Sequence, residues 1–298
     1  MQKIFNKNNN FIAFYHIPKT AGMSVKSFLD KQYAGYKYGP GGAGKFFTKH
    51  AFWHKDREIL CAHGHEAHFA PFWDTKRKCV IFTFIRNPID RIISHFNYER
   101  HKQAILGRII TKLPMNDLFE LDEFWETRYE INPEYINYGT FYPWVSNFYC
   151  RALSRHTMLS KIKSEDPHIR LPVMKGSKPA DYSGIVDTSN HPDEDMFKEA
   201  LQVIESGRIV LNHPFGDEEV SCKIVICITE QMNRSIDLLT SIFDWESYYP
   251  PRINSNNIRN NLSDKALENL TKYNKYDIFL YNLAAKRFNS LLKERGLI

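Results

Sequence analysis

The sequence has few of the features that mark secreted, membrane-bound or thiolate-metal proteins. Its 298 residues include only five cysteines, and no two of them form a CxxC pair. The sequence therefore predicts neither a disulfide framework nor a thiolate zinc site. The opening residues, MQKIFNKNNN, lack the apolar core of a signal peptide, and no apolar run is long enough to span a bilayer. We therefore expect a soluble protein of the reducing cytoplasm, without a transmembrane segment.

Charge of one sign is not concentrated anywhere in the chain. The net charge of +6 favours anionic partners, but the basic residues are mixed with acidic ones, so we do not expect nucleic acid binding. A phosphorylated cofactor or an acidic glycan suits this balance equally well. The length suits one large α/β domain or two small ones. Because neither a linker nor an internal repeat is visible, we expect a single domain over residues 1–298, and we leave open whether it forms oligomers.

Short apolar runs, each followed by a helical pattern, predict a parallel sheet. The three predicted strands are Phe11–Ile17, Lys78–Ile85 and Lys223–Thr229. Strands that alternate with helices are typical of an α/β fold, in which helices cover both faces of a central, largely parallel sheet. The stretch Ser263–Leu292 is also helical in its pattern of apolar residues.

The loop after the first predicted strand has the features of an anion-binding site. Backbone N–H groups at the start of a helix have no helical partner, and the helix dipole favours negative charge there. Lys19 adds a mobile cation, Thr20 and Ser24 add hydroxyl groups, and Gly22 allows a close approach of the backbone. Taken alone, the same pattern also fits a surface turn with a solvated lysine.

A second glycine-rich segment, Gly39–Lys45 (GPGGAGK), matches part of the Walker A loop of nucleotide hydrolases. Phe46 stands where that loop needs a Ser or Thr to bind Mg²⁺, and the residues before the segment do not have the pattern of a buried strand. We therefore interpret the segment as a flexible glycine loop, which disfavours a nucleotide kinase.

The residues after the second predicted strand form another candidate anion site. Arg86 follows this strand, at the edge where open α/β sheets bind ligands. Its guanidinium group can donate two parallel hydrogen bonds to a phosphate. Ser94 lies about two helical turns further on. The alternative is an arginine paired with a carboxylate at a strand end.

Together, HIPKTAGMS (residues 16–24) and FIRNPIDRIISHF (residues 84–96) resemble the two donor-binding loops of carbohydrate sulfotransferases. These enzymes use 3′-phosphoadenosine 5′-phosphosulfate (PAPS), and the heparan sulfate and uronyl 2-O-sulfotransferases are the most similar. The resemblance implies a three-layer α/β sandwich of the P-loop type, PAPS as co-substrate and no metal. It implies that Arg86 and Ser94 bind the 3′-phosphate and that Arg259 also reaches the donor. The residues that it assigns to the 5′-phosphosulfate are Lys19, Thr20, Ala21, Gly22, Met23 and Ser24.

The resemblance also divides the chain and shows where it departs from the family. It implies a donor-binding core at residues 11–100 and 220–298 and an acceptor-side region of helices and loops at about 101–219. Ala21 and Met23 stand where many members carry Gly and Thr, and Asn87 stands where many carry Asp.

The densest reactive cluster is CAHGHEAH, at residues 61–68. Its HxHxxH pattern (His63, His65, His68) resembles the zinc motif of metallo-β-lactamase-like hydrolases, although Ala67 stands where that motif has Asp. Histidines satisfied by hydrogen bonds at a strand end are a second interpretation. The third follows from the resemblance, since 2-O-sulfotransferases carry an HGH between their two loops. That HGH maps to His63 and His65.

These observations predict a PAPS-dependent O-sulfotransferase that acts in line on a hydroxyl group of a carbohydrate or glycolipid. A sugar hydroxyl needs a base within hydrogen-bond reach, and neutral His65 can be that base near pH 7, with His63 assisting. Lys19 can stabilise the charge that develops on the oxygen between sulfur and phosphorus. The alternatives are a metal-dependent hydrolase that uses the histidine cluster and a non-catalytic nucleotide-binding protein.

Overall fold

The computed structural model of the chain describes residues 10–33, 39–41, 61–65, 67–73, 77–105, 113–126, 146–154, 194–212, 218–250 and 262–298. Within these residues, six strands form one sheet. They are β1 (Asn10–Tyr15), β2 (Gly39–Gly41), β3 (Cys61–Gly64), β4 (Lys78–Ile85), β5 (Arg208–Asn212) and β6 (Glu219–Ile228). Their order in the sheet is β2–β3–β1–β4–β6–β5.

Ten α-helices lie in the same described ranges. They are α1 (Gly22–Gln32), α2 (Ala70–Trp73), α3 (Pro88–Ile105), α4 (Met115–Glu120), α5 (Asp122–Glu126), α6 (Phe148–Leu153), α7 (Glu194–Ser206), α8 (Met232–Phe243), α9 (Asp264–Tyr273) and α10 (Lys275–Glu294). None of these helices combines the length and the apolar character needed to cross a membrane.

The sheet is parallel except at one edge. Strands β2, β3, β1, β4 and β6 run in the same direction, and β5 pairs with β6 in the antiparallel sense. Every residue of β1 is buried, as is every residue of β4 after Lys78. Because successive side chains of a strand point to opposite faces, protein must cover both faces of the sheet. This arrangement confirms the predicted α/β fold.

An aromatic cluster packs α1 and the end of α8 against the centre of the sheet. Phe14 and Phe82 are register partners on β1 and β4, and their rings stack with centroids 4.9 Å apart. Trp245 lies 5.9 Å from Phe82 and contacts Phe28 of α1 edge-on at 5.5 Å. The fully buried rings of Phe14, Phe28 and Phe82, with the half-buried Trp245, hold α1 beside β1. They thereby fix the two ends of the loop that joins these elements.

The topology gathers the ends of four strands at one edge of the sheet. From β1 the chain continues to β2 and β3 on one side, and from β4 it continues to β5 and β6 on the other. Connections that leave neighbouring strands in opposite directions open a crevice at the carboxyl edge, where α/β sheets bind ligands. The residues that follow Tyr15, Gly64, Ile85 and Ile228 all lie at this edge.

The three predicted strands are present, and one sequence prediction is wrong. Gly39–Gly41 is not a flexible loop but the edge strand β2, which pairs with β3 in parallel. The backbone of this segment forms ladder hydrogen bonds although its side chains carry no strand pattern. Residues 42–45 of the same glycine-rich segment lie outside the described residues.

Candidate active site

The loop between β1 and α1 is held in a strained conformation. Lys19 and Ala21 both have the left-handed backbone conformation, with φ angles of 69° and 66°. This region costs a non-glycine residue about 1–2 kcal/mol, so neighbouring contacts must stabilise it. One such contact is made by fully buried Thr20, whose hydroxyl donates to the carbonyl of Ile17 at 2.7 Å. Strain that the surrounding structure maintains is characteristic of ligand-binding loops.

Helix α1 begins directly after this turn. Its first helical hydrogen bond runs from the Val25 N–H to the Ala21 carbonyl at 3.1 Å, so the helical ladder does not use the N–H groups of Gly22 and Met23. The first turn of α1 contains no acidic residue to balance the positive end of the helix. Ser24 is buried, whereas the side chain of Met23 is 62% exposed. The start of α1 therefore presents backbone donors to an anion.

His16 joins this loop to the end of β3. The His16 N–H donates to the carbonyl of Gly64 at 2.9 Å, and its ring stacks on that of His65 with centroids 4.5 Å apart. Gly22 leaves the space that the His16 ring occupies, because a Cβ at this position would lie 1.8 Å from His16 Nε2. Burial, followed by the nearby charges of His65 and other groups, lowers the pKa of His16 to about 3.

His65 is fixed in one tautomer by the main chain. Its Nδ1 lies 2.6 Å from the carbonyl oxygen of His16, and since a carbonyl can only accept, Nδ1 must donate. In the neutral ring, Nε2 then carries the lone pair of a base. Partial burial lowers the pKa of His65, although part of the residue remains exposed to solvent. His65 is therefore neutral at pH 7 and accessible at the carboxyl edge.

The other two histidines of the cluster have different surroundings. Half-buried His63 lies on β3, and burial lowers its pKa to about 4 with a further contribution from the positive charge of Lys26. His68 is buried against the ring of Tyr15 and donates from Nδ1 to the His65 carbonyl at 3.1 Å. No cluster of three or more His, Cys, Asp or Glu in the described ranges could hold a metal ion.

The second loop follows β4 and is fixed by hydrogen bonds to its main chain. The N–H of half-buried Arg86 donates to the hydroxyl of Tyr149 at 2.8 Å, and this hydroxyl donates to the Arg86 carbonyl at 2.6 Å. The side chain of Asn87 caps α3 by accepting the Ile89 N–H at 3.1 Å. The N–H of Asn87 donates to Glu230 at 2.7 Å. The backbone of this loop is thus fixed on two sides.

The two loops bring their cations near each other. The Nζ of Lys19 lies 4.0 Å above the ring of Tyr98 on α3. Burial and then the positive charge of Arg86 lower the pKa of Lys19, whereas Glu99 raises it. Two neighbouring cations repel each other, and an anion between them would remove this cost. Ser94 precedes Tyr98 by four residues, so it lies on the same face of α3.

Residues 2–168 of the chain match the model of the Sulfotransferase family, which is more than half of the 298 residues. The chain belongs to the sulfotransferase family. A comparison of the chain with curated proteins found no match. The matched residues include both loops and the histidine cluster. Membership confirms the predicted enzyme class and agrees with the P-loop-like fold; it implies a sulfate donor and an acceptor.

Family membership also decides among the sequence interpretations. It supports a sulfotransfer reaction over metal-dependent hydrolysis and over non-catalytic nucleotide binding. The particular similarity to 2-O-sulfotransferases stays a prediction, as do the roles of the individual site residues. Arg259 lies outside the described residues of the sulfotransferase.

Several residues that build the site carry no signal in the sequence. Tyr149 lies in a segment without a strand or helix pattern strong enough to predict its place beside Arg86. The ring of Tyr98 carries no signal that would link it to Lys19. Glu230 could have been found, because it directly follows a predicted strand of the sulfotransferase and so lies at the carboxyl edge. Arg91 is fully buried against Phe148, so its role is internal.

Proposed function

We propose that this sulfotransferase transfers the sulfuryl group of PAPS to a hydroxyl group of a carbohydrate or glycolipid. The observation that carries the proposal is that Lys19 and Arg86 follow the carboxyl ends of the neighbouring strands β1 and β4. Arg86 is close enough there for its positive charge to lower the pKa of Lys19. A donor with a phosphosulfate at one end and a phosphate at the other supplies an anion for each cation. Such a ligand would relieve the repulsion between the two cations.

Each loop has a proposed share of the donor. The 5′-phosphosulfate would be bound by the side chains of Lys19, Thr20 and Ser24 and by the backbone N–H groups of Gly22 and Met23 at the start of α1. The 3′-phosphate would be bound by Arg86, with Ser94 on the adjoining face of α3. Within a single domain, residues 11–100 and 220–298 would form this donor-binding core. Residues of about 101–219 would then face the acceptor.

His65 is the proposed general base. Its Nε2 would accept the proton of the attacking hydroxyl group, because Nδ1 is committed to the His16 carbonyl. The acceptor oxygen would form the new bond to sulfur while the bond between sulfur and the oxygen of the 5′-phosphate breaks. Lys19 would stabilise the negative charge left on that oxygen. The product is 3′-phosphoadenosine 5′-phosphate (PAP). Since a sulfuryl group carries less charge than a terminal phosphoryl group, we propose that the reaction needs no metal.

A transfer assay over several acceptor classes tests the proposal. The protein is incubated with PAPS and with glycans, glycolipids or small alcohols, and both PAP release and the mass of the acceptor are measured. We expect PAP release that depends on a carbohydrate or glycolipid, together with a mass gain of one sulfuryl group on that acceptor. Transfer only to small alcohols would refute the acceptor class. Binding of PAPS without transfer to any of these acceptors would refute the proposed reaction.

A further inference from the structure

Tyr149, which is not part of the second loop, forms two hydrogen bonds with the main chain of Arg86. Its hydroxyl group accepts from the Arg86 N–H at 2.8 Å and donates to the Arg86 carbonyl at 2.6 Å. The backbone N–H and the backbone carbonyl of Arg86 are therefore both hydrogen-bonded to the Tyr149 hydroxyl oxygen. This double contact fixes the peptide planes on either side of the Arg86 Cα, and it thereby sets the direction in which the side chain leaves the backbone.

Tyr149 is held in turn by Asp277 of α10. The Tyr149 N–H lies 2.9 Å from each carboxylate oxygen of Asp277, and the Cys150 N–H donates to the same carboxylate at 3.2 Å. Asp277 is fully buried, and so is Arg91, whose guanidinium lies 4.6 Å from the ring centre of Phe148. The two N–H groups stabilise the buried Asp277 carboxylate, and the positive charge of Arg91 lowers its pKa further. Displacement of Tyr149 would therefore leave a buried carboxylate without its donors.

The same helix holds the next residue of the loop by a second route. The hydroxyl of Tyr281 donates to one oxygen of Glu230 at 3.0 Å, and the other oxygen accepts the Asn87 N–H at 2.7 Å. Asp277 and Tyr281 are four residues apart, so they lie on one face of α10. One face of the C-terminal helix is thus connected to two successive residues at the end of β4.

We propose that Tyr149 is a positioning residue for donor binding, and that α10, through Asp277 and Tyr281, fixes the orientation in which Arg86 meets the 3′-phosphate. This inference rests on the proposed function, since it assumes that Arg86 binds that phosphate. It adds residues outside both loops that determine donor affinity. Two of them, Asp277 and Tyr281, lie beyond residues 2–168, the range of the family match.

Tyr149→Phe tests the inference, because it removes the hydroxyl group and keeps the ring. Calorimetry would compare PAP with adenosine 5′-phosphate, which lacks the 3′-phosphate. We expect Tyr149→Phe to weaken PAP binding about tenfold and to leave adenosine 5′-phosphate binding unchanged. A general loss of structure would instead weaken both nucleotides equally, and that result would overturn the inference. In an Arg86→Ala background, the Tyr149→Phe change should have no further effect on PAP.

A second variant decides the question if Tyr149→Phe does not fold. Tyr281→Phe breaks the contact to Glu230 at the surface and should weaken PAP binding severalfold, again only for the nucleotide with a 3′-phosphate. Tyr249→Phe is its matched control, since it removes a hydrogen bond from an exposed tyrosine to the carboxylate of Asp237 at 2.6 Å. Equal PAP affinity in Tyr281→Phe and Tyr249→Phe would overturn the role of α10.

The wild-type and Arg86→Ala proteins separate the two levels of the proposal. If wild-type protein does not bind PAP, the proposed function fails and this inference fails with it. If PAP binds and Arg86→Ala weakens it, but Tyr149→Phe leaves it unchanged, the proposed function stands and the inference alone is wrong.

Discussion

Three histidines make the stability of this protein depend steeply on pH below neutrality. Burial lowers the pKa of His16 to about 3, of His63 to about 4 and of His68 to about 3, from an ordinary value of 6.5. Between about pH 4.5 and 6 they are neutral in the folded protein and protonated in the unfolded chain. Together they should make the free energy of unfolding fall by about 4 kcal/mol for each unit of pH decrease.

Asp277 acts in the opposite direction over the same range. Burial raises its pKa from 3.8 to about 6, so the folded protein holds a proton that the unfolded chain releases. The contribution of Asp277 to the free energy of unfolding is fully present below pH 3.8 and is lost as the pH rises through about 6. The contribution of the histidines is instead lost as the pH falls below 6.5. For these four groups, subtracting one proton from three leaves about 2.7 kcal/mol per pH unit, a large fraction of the total stability of a typical domain. Burial also lowers the pKa of His65, which adds to the slope in the same direction as the other histidines.

Urea unfolding at several values of pH between about 4.5 and 6 measures this slope. His68→Asn isolates one histidine, because the amide group can replace the 3.1 Å hydrogen bond to the His65 carbonyl without titrating. We expect its slope to be smaller by about 1.4 kcal/mol per pH unit. Met23→Ala, an exposed substitution that leaves every titratable group in place, should keep the wild-type slope. A wild-type slope in His68→Asn would refute the neutral, buried state of His68.

Three further substitutions test the site itself. His65→Ala should lower kcat by about 10²–10⁴ in the transfer assay, because a general base contributes this much, and a nearly unchanged kcat would exclude that role. Gly22→Ala should lower the free energy of unfolding by about 1–3 kcal/mol, because the added Cβ would overlap the His16 ring. Met23→Ala, at an exposed position, is the control. Equal melting temperatures for the two variants would contradict the contact between Gly22 and His16. Ala21→Gly should raise the free energy of unfolding by about 1 kcal/mol, because a φ of 66° suits glycine. A lower melting temperature of Ala21→Gly would disprove that strain.

The central strands could be predicted because their composition is continuous and apolar. Lys78–Ile85 has the predicted bounds, and Pro88 begins α3, where its missing N–H costs nothing. The edge strands could not be predicted in this way. Gly39–Gly41 lacks the run of apolar side chains that marks a strand, yet its backbone pairs with β3. Arg208–Asn212 is short, and among the described residues it pairs with β6 alone.

Part of the site follows from topology and part does not. Lys19 and Arg86 could be placed together because the carboxyl ends of neighbouring parallel strands meet at one edge. Asn87 replaces the Asp of many relatives and still caps α3, since both side chains offer an oxygen to the first N–H groups. The contact between Tyr149 and Asp277 joins residues 128 positions apart. No local pattern predicts such a pair.

Calorimetry of PAP binding to wild-type protein and to Arg86→Ala tests the central claim most directly. If the two loops bind opposite ends of one donor, Arg86→Ala should weaken PAP binding about 10- to 100-fold through the loss of a charge-assisted phosphate contact. Arg100→Ala, an exposed arginine on α3, should leave the affinity unchanged. Equal PAP affinity in wild-type and Arg86→Ala proteins, or no PAP binding by either, would contradict the assignment of the donor site.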